Sequence, residues 1–252
     1  IALKPSIGTI VSDVVKKQVQ DFLETKAVLS ISPVVVDADY TYLRFAIKTL
    51  YDTTKTTLST DGISSAIRTN VISNIINNLG KFDQSFSISK LLTDVDATSS
   101  SIDSSSVEVT MEKRIKPTSV RDVSYSVSYG NAIYHPHDGH MSVISSNVFR
   151  YLDPVDSTTK DVFIKDDGNG NISFYQKVGQ SDQITLQNAG TVDYERGIIR
   201  INQVQVLSPT DTPEIRIFAV AKNQRYVSVR DKIIFNDYLN DSSAIQIETN
   251  GV

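Results

Sequence analysis

All three histidines of the chain fall in one segment, His135-Pro136-His137-Asp138-Gly139-His140. Imidazoles beside a carboxylate are the ligands that a divalent transition metal selects. Metallo-hydrolase loops with a His-x-His arrangement place an aspartate directly before the last histidine, where this chain has Gly139. Pro136, Asp138 and Gly139 are ordinary turn residues. The segment reads as an exposed turn, with metal binding by His135, His137 and His140 as the alternative and no residue assigned as a ligand. A symmetric oligomer would gather His135 and His137 around its axis.

Asp166-Asp167-Gly168-Asn169-Gly170-Asn171 has the alternate side-chain oxygens of a calcium loop. Counted from Asp167, the sixth position is Ile172 where such a loop needs glycine, and the twelfth is Val178 where it needs a bidentate glutamate. Flanked by Val162-Phe163-Ile164 and Ile172-Ser173-Phe174, it is predicted to be a β-hairpin connection. Asp37-Ala38-Asp39 could hold a metal against a diphosphate, but its place between two predicted strands favours a turn. Asp193-Tyr194-Glu195-Arg196-Gly197 is likewise a hairpin turn before it is an acid/base pair. No Gly-x-Ser-x-Gly elbow, phosphate-binding glycine loop or dinucleotide fingerprint is present, so no catalytic residue, cofactor or enzymatic activity is expected. Tyrosines and phenylalanines alternate within predicted strands, as core or interface residues do, rather than forming a base-stacking platform.

The elements that carry these residues follow from hydrophobic period. Val11, Val14, Val15, Val19, Phe22 and Leu23 share one stripe of an amphipathic helix that Ser12 or Thr9 could cap. A β-branched stretch from Val28 to Val36, where Pro33 marks an edge strand or a bulge, is predicted to pair as a hairpin with the alternating run Leu43, Phe45, Ile47. Ile63, Ile67, Val71, Ile75 and Leu79 mark the strongest helix, with Ile72 and Ile76 widening the stripe and Gly80 as its stop. A shorter helix over Ser87–Val95 and a serine-rich loop over Thr98–Ser106 precede a strand. There Val107, Val109, Met111 and Ile115 alternate with Glu108, Thr110, Glu112 and Arg114.

These elements predict an α+β unit over residues 1–117, a three-stranded sheet with helices packed on one face. Pro117–Val120 reads as a junction. Beyond it, runs near 123–129, 162–165, 172–177, 184–187, 198–206, 215–220 and 245–248, separated by turn residues, predict a mostly antiparallel β domain over 118–252. Arg230–Tyr238 fits either a strand or a short helix.

Composition narrows the function classes. The formal net charge of −4 is too weak for a nucleic-acid groove or a lipid-binding basic surface. Residues 1–117 carry 13 basic and 13 acidic groups against 12 and 16 in 118–252, a shift consistent with two units. The absence of cysteine removes disulfides, thiolate nucleophiles and Cys-ligated zinc, and is compatible with a reducing cytoplasm. No run of 18 apolar residues occurs, and Ile1 to Val15 lacks the pattern of a signal peptide, so no membrane partner is expected. Ile1 in place of Met, followed by Leu3-Lys4-Pro5, suggests a piece of something longer.

Several stretches, in their order along the chain, carry a resemblance. They are Leu3-Lys4-Pro5, Ser32-Pro33-Val34-Val35-Val36-Asp37-Ala38-Asp39-Tyr40-Thr41-Tyr42, Lys81-Phe82-Asp83, Ser89-Lys90-Leu91, Ile102-Asp103 and Val109-Thr110-Met111-Glu112-Lys113-Arg114. Together they resemble the wedge protein lining the inner baseplate ring of contractile-tailed bacteriophages, a relative of the J-like baseplate family. The resemblance covers Ile1 to about Pro117 and extends weakly through Gly190-Thr191-Val192-Asp193-Tyr194, Gly197-Ile198-Ile199 and Val229-Arg230. None of these is a catalytic motif, and the histidine segment lies outside the pattern. The resemblance implies a non-enzymatic scaffold that forms a homodimer, joins other wedge proteins, and builds a ring around the central hub. It implies assembly in the host cytoplasm, a place in the virion tail, and a part in passing a host-contact signal to the contracting sheath. Such work needs self-complementary apolar surfaces and rigid β modules. The alternative is a β-rich receptor-binding or metal-binding module at a tail tip. A cell-wall hydrolase would need an acid pair that the chain lacks.

Overall fold

A computed structural model describes residues 1–6, 8–28, 31–117, 122–209, 213–229 and 231–252. In chain order its elements are β1 (Ala2–Leu3), α1 (Asp13–Glu24), β2 (Val36–Asp37), β3 (Asp39–Tyr51), α2 (Thr60–Asn78), β4 (Ser85–Ser87), α3 (Ile88–Asp96) and β5 (Ile102–Ile115). They continue with β6 (Val123–Ser128), β7 (Ile144–Ser146), β8 (Phe149–Leu152), β9 (Thr159–Asp166), β10 (Asn171–Val178), β11 (Ser181–Asp193) and β12 (Ile198–Pro209). Last come β13 (Ile215–Val220), β14 (Arg225–Val227), β15 (Lys232–Phe235), a 3-10 turn at Ser242–Ala244 and β16 (Ile245–Gly251). The chain is thus mostly β with three helices among the described residues. None of the helices is long and apolar enough to cross a membrane. Residues 118–120 of the predicted junction, residues 29–30 of the predicted Val28–Val36 strand, and Arg230 lie outside the described residues.

The spine of the fold is β3, antiparallel to β5 from Tyr42↔Glu112 to Tyr51↔Ile102. On one face Leu43, Phe45 and Ile47 alternate into the core at 1% exposure each, as a period of two requires. Helix α2 covers this face with Ile63, Ile67, Val71 and Ile75, one residue every helical turn. Its start is fixed by Ser59, whose hydroxyl accepts from the Gly62 N–H at 3.2 Å. Ile76, expected to widen the buried stripe, instead stays 58% exposed. The serine-rich stretch expected as a loop is partly strand, since β5 begins at Ile102.

The predicted three-stranded N-terminal sheet requires correction in its first strand. Among the described residues of the Val28–Val36 stretch and its flank, only Val36–Asp37 is strand, and it pairs in parallel with β1 rather than as a hairpin with β3. The outer edge of β3 is taken instead by the end of the chain. β15 pairs in parallel with Asp39–Tyr42, and β16 in parallel with Phe45–Tyr51. Local sequence cannot reveal this because the partners are about 190 residues apart.

On its other side β5 pairs with β13, and β13 with β7. Five antiparallel strands then close on themselves in the circuit β8–β9–β10–β11–β12–β8, a small barrel. Phe149, Tyr151 and Phe174 fill it with edge-to-face ring contacts at 5.3 Å. One cluster of buried residues runs from Leu43 to Ile245 through both the helix-covered sheet and the barrel. A satellite of Ala38, Tyr40, Tyr42 and Ile233 lies beside it. Strand candidates at 215–220 and 245–248 are strands, and Arg230–Tyr238 resolves as strand over Lys232–Phe235.

Candidate functional site

The face of β5 expected to be wet is exposed at Glu108 but dry at Glu112. Glu112 is 1% exposed, in register with Tyr42 of β3 and Phe218 of β13. Three guanidinium groups surround it, with Arg114 Nε at 2.7 Å, Arg44 Nε at 3.5 Å and Arg216 Nε at 3.7 Å. Arg114 and Arg216 stand directly opposite each other across the β5–β13 pair, an arrangement that repels unless anions intervene. The anions come from the loop after β15. Asp237 accepts from Arg114 at 2.7 Å, and Asp241 lies 2.5 Å from Arg216 and 3.3 Å from Arg44. Arg114 also lies over the Tyr42 ring at 3.8 Å and Arg44 over Phe218 at 5.2 Å.

Burial pushes the Asp241 carboxyl up. The Ser243 hydroxyl and N–H with Arg44 and Arg216 more than reverse this, leaving it below the usual carboxylate value. Every carboxylate of the layer is engaged by a cation, so it offers no free base. Its physical effect is to clamp residues 237–243 onto three strands.

A second charge cluster lies around Asp39. Its carboxylate holds Lys113 at 2.5 Å and also Lys232. Burial pushes the Lys113 ammonium down to about 8, against the pull of Asp39. Asp37 instead accepts from the Val11 N–H and the Lys16 ammonium, each at 2.8 Å. The two carboxylates of Asp37-Ala38-Asp39 are therefore spent on separate lysines and do not form a metal–diphosphate site.

The histidine segment is a turn held against the β9–β10 hairpin. His135 stacks on Tyr194 at 4.3 Å, and His140 meets His135 edge-on at 4.9 Å. Each ring has a nitrogen within reach of a backbone carbonyl: His135 Nε2 at 3.1 Å from Gly168, His137 Nδ1 at 3.0 Å from Asp138, and His140 Nδ1 at 2.6 Å from Met141. Beneath them Asp166 is 3% exposed and accepts from the Tyr194 hydroxyl at 2.7 Å, the Ser142 hydroxyl at 2.6 Å, and the Val143 and Ile144 N–H groups at 2.9 Å. Among the described residues no group of three or more His, Asp or Glu is arranged to hold a metal ion.

Asp167 turns the hairpin by accepting from the Asn169 and Asn171 N–H groups at 2.8 and 3.0 Å. Gly168, at φ +72°, lies so close to the histidine turn that a Cβ would meet His140 N at 2.4 Å. Residues 193–197 likewise connect β11 to β12, with Asp193 accepting from Arg196 N–H at 3.0 Å.

A cleft of about 640 Å³ opens beside the charge layer, with Tyr40, Tyr42, Ile76 and Phe235 along it and Arg114 and Asp237 at one wall. Those two charged groups are bonded to each other, and Lys4, Lys81 and Glu214 also line the cleft. The sequence pattern showed none of the charge layer. Its members are ordinary alternating polar residues, and only pairing of distant strands brings them together.

These features make a barrel and a helix-backed sheet joined by one core and cross-tied by an ionic layer. Residues 39–114, from the first residue of β3 to Arg114 in β5, match the family model described as baseplate structural protein gp6, C-terminal domain III. The match covers less than a third of the chain and includes Arg44, Glu112 and Arg114 of the layer. It supports a phage baseplate wedge protein with a structural role, in agreement with the resemblance carried by the sequence. No curated protein matches the chain.

Proposed function

We propose that the chain is a load-bearing part of a contractile-tail baseplate wedge, which pairs with a second copy, joins other wedge proteins in an inner ring around the hub, and helps relay the contraction signal. The observation that carries this reading is the coincidence of the gp6-like stretch, residues 39–114, with the β3–α2–α3–β5 block on which the ionic layer is built. A relay needs an element that moves as a unit. Sheet strands cross-tied by three arginines and three carboxylates, of which Glu112 and Asp237 are buried, supply one. Assembly in the host cytoplasm and residence in the virion tail follow from the same reading, and 1–117 and 118–252 are kept as its two proposed units.

The test is to inactivate the gene in the phage that encodes it and examine the particles. The expected result is loss of assembled baseplates, restored by the wild-type chain supplied in trans, with the protein detected in purified tails by mass spectrometry. Normal tails without the protein would remove this reading.

A further inference from the structure

The floor of the 640 Å³ cleft is the satellite cluster. Tyr40 and Tyr42 of β3 each meet the Phe235 ring edge-on at 5.8 Å, which makes a stiff aromatic surface. The walls come from the end of α2, from the N-terminal segment around Lys4 and Thr9, and from the loop after β15. Ile76 of α2 and Leu239 of that loop, which also line the cleft, are 58% and 79% exposed. Aliphatic side chains left in water beside an aromatic floor form one continuous apolar surface, of the kind that another chain covers.

The polar groups of the cleft divide into engaged and free. Asp237 is held by Arg114 at 2.7 Å, and Glu214 lies 3.9 Å from both Arg114 and Lys116. Lys4 and Lys81 are exposed, and neither forms an ion pair among the described residues. The Lys4 ammonium donates to the Pro5 carbonyl at 3.1 Å. The charge left for a guest is therefore positive, in a chain of net charge −4. Tyr40 is 8% exposed, and its hydroxyl has no hydrogen-bond partner among the described residues. Burial pushes this phenol up to about 12, so it keeps its proton and can donate. A buried donor without a partner is costly, and a guest carbonyl or carboxylate would satisfy it.

We propose that this cleft docks an extended segment of another protein, seating aliphatic side chains on Tyr40, Tyr42 and Phe235 and carboxylates on Lys4 and Lys81. One strand-like segment supplies both groups, because successive side chains point to opposite sides. Apolar residues then face the floor and acidic residues the exposed lysines, so the charges are complementary. A small apolar acid would bury most of its surface inside the pocket. It would leave Ile76 and Leu239 uncovered, whereas a longer segment crosses them. This deepens the reading that the chain joins other wedge proteins, and it is tested apart from that reading, since binding in solution does not require a place in a tail.

The test uses residues 1–252 and a fluorescein-labelled, acetylated hexapeptide of alternating glutamate and leucine, followed by fluorescence polarisation. Saturable binding is expected, weakened by added salt. Affinity should fall at least about tenfold in Leu239→Asp and in Lys81→Glu, and at least about threefold in Tyr40→Phe. Melting temperatures should stay close to wild type, because Leu239 and Lys81 are exposed and Tyr40→Phe removes only a hydroxyl without a partner. Lys90→Glu, a charge reversal away from this cleft, should bind as wild type does. A peptide with lysine in place of glutamate should not bind. Equal binding of the lysine peptide, wild-type affinity in Leu239→Asp and Lys81→Glu, or an equal loss in Lys90→Glu overturns the site. Binding of decanoate without the peptide overturns it in favour of a small apolar acid, and binding of neither overturns it outright. All of these leave the place of the chain in a baseplate to the particle test.

Discussion

Glu112 has a stability role out of proportion to its size. Removing it leaves Arg44, Arg114 and Arg216 with only Asp237 and Asp241 to neutralise them in a water-poor layer, and uncompensated buried charge is costly. Glu112→Ala is therefore expected to destabilise the chain by about 3–5 kcal/mol in urea unfolding. Glu248→Ala, which breaks a surface pair with Lys48 at 3.9 Å where both side chains are at least 60% exposed, should cost no more than about 1 kcal/mol. Equal losses for the two variants would contradict the importance given to the layer. At Gly168 the expected damage has another origin, since a Cβ would be strained at φ +72° and would meet the backbone of His140. Gly168→Ala should cost about 2 kcal/mol or more, and a neutral variant would show that the two turns are not in contact. The hairpin and turn readings of 166–171 and 193–197 were legible because turn chemistry is local. The ion pairs were not, because a strand's polar residues look alike whether water or an arginine faces them.

At the scale of elements, α2 separates what periodicity can and cannot tell. The spacing of Ile63, Ile67, Val71 and Ile75 specifies a helix and its buried face from sequence alone. The edge of that face depends on what packs against it, and Ile76 falls outside. Ile67→Ala should cost about 2–5 kcal/mol through the cavity it leaves, whereas Ile76→Ala should change stability by no more than about 0.5 kcal/mol. Thermal melts of the two variants decide this, and a large loss at Ile76 would mean that the helix is packed differently. Short strands such as β7, β8 and β14 escaped the sequence reading because three or four residues carry too little alternation to stand out. They are strands because neighbours supply their hydrogen bonds.

At the scale of the whole molecule, residues 232–251 close the sheet. β15 and β16 complete the edge of β3, and Asp237 and Asp241 neutralise the arginine layer. A chain ending at Asn236 is expected to lose cooperative unfolding, since it exposes a sheet edge and leaves three arginines short of two carboxylates. Residues 1–117 produced alone face the same open edge of β3 and should recover order only when 118–252 is supplied. A sharp, wild-type melt for either chain alone would show that the terminal strands are dispensable.

The pH dependence has a definite sign. Asp39 and Asp241 are held below the ordinary carboxylate value. In Asp39, burial pushes upward but Lys113 and Lys232 prevail. The unfolded chain therefore binds more protons as pH falls below about 4. Their contribution is full above the unfolded value near 3.9 and is lost as pH drops through the lower folded values. Melting temperature should fall steeply from pH 4 toward pH 2, less so in Asp241→Asn. A flat profile there would show that these carboxylates are not paired.

Sequence by itself determined what lies within a turn or two of any residue: α2 and most of its stripe, the hairpin turns, most strands of the barrel, and the set of motifs that resembles a baseplate wedge protein. Tertiary structure alone decided that β3 takes its outer partners from residues 232–251, that five strands close into a barrel, and that Glu112 on the polar face of β5 sits in a dry ionic layer. Alternation states that one face of a strand differs from the other. What covers each face is decided by strands that sequence separates by a hundred residues or more, and by the free energy of bringing their charges together away from water.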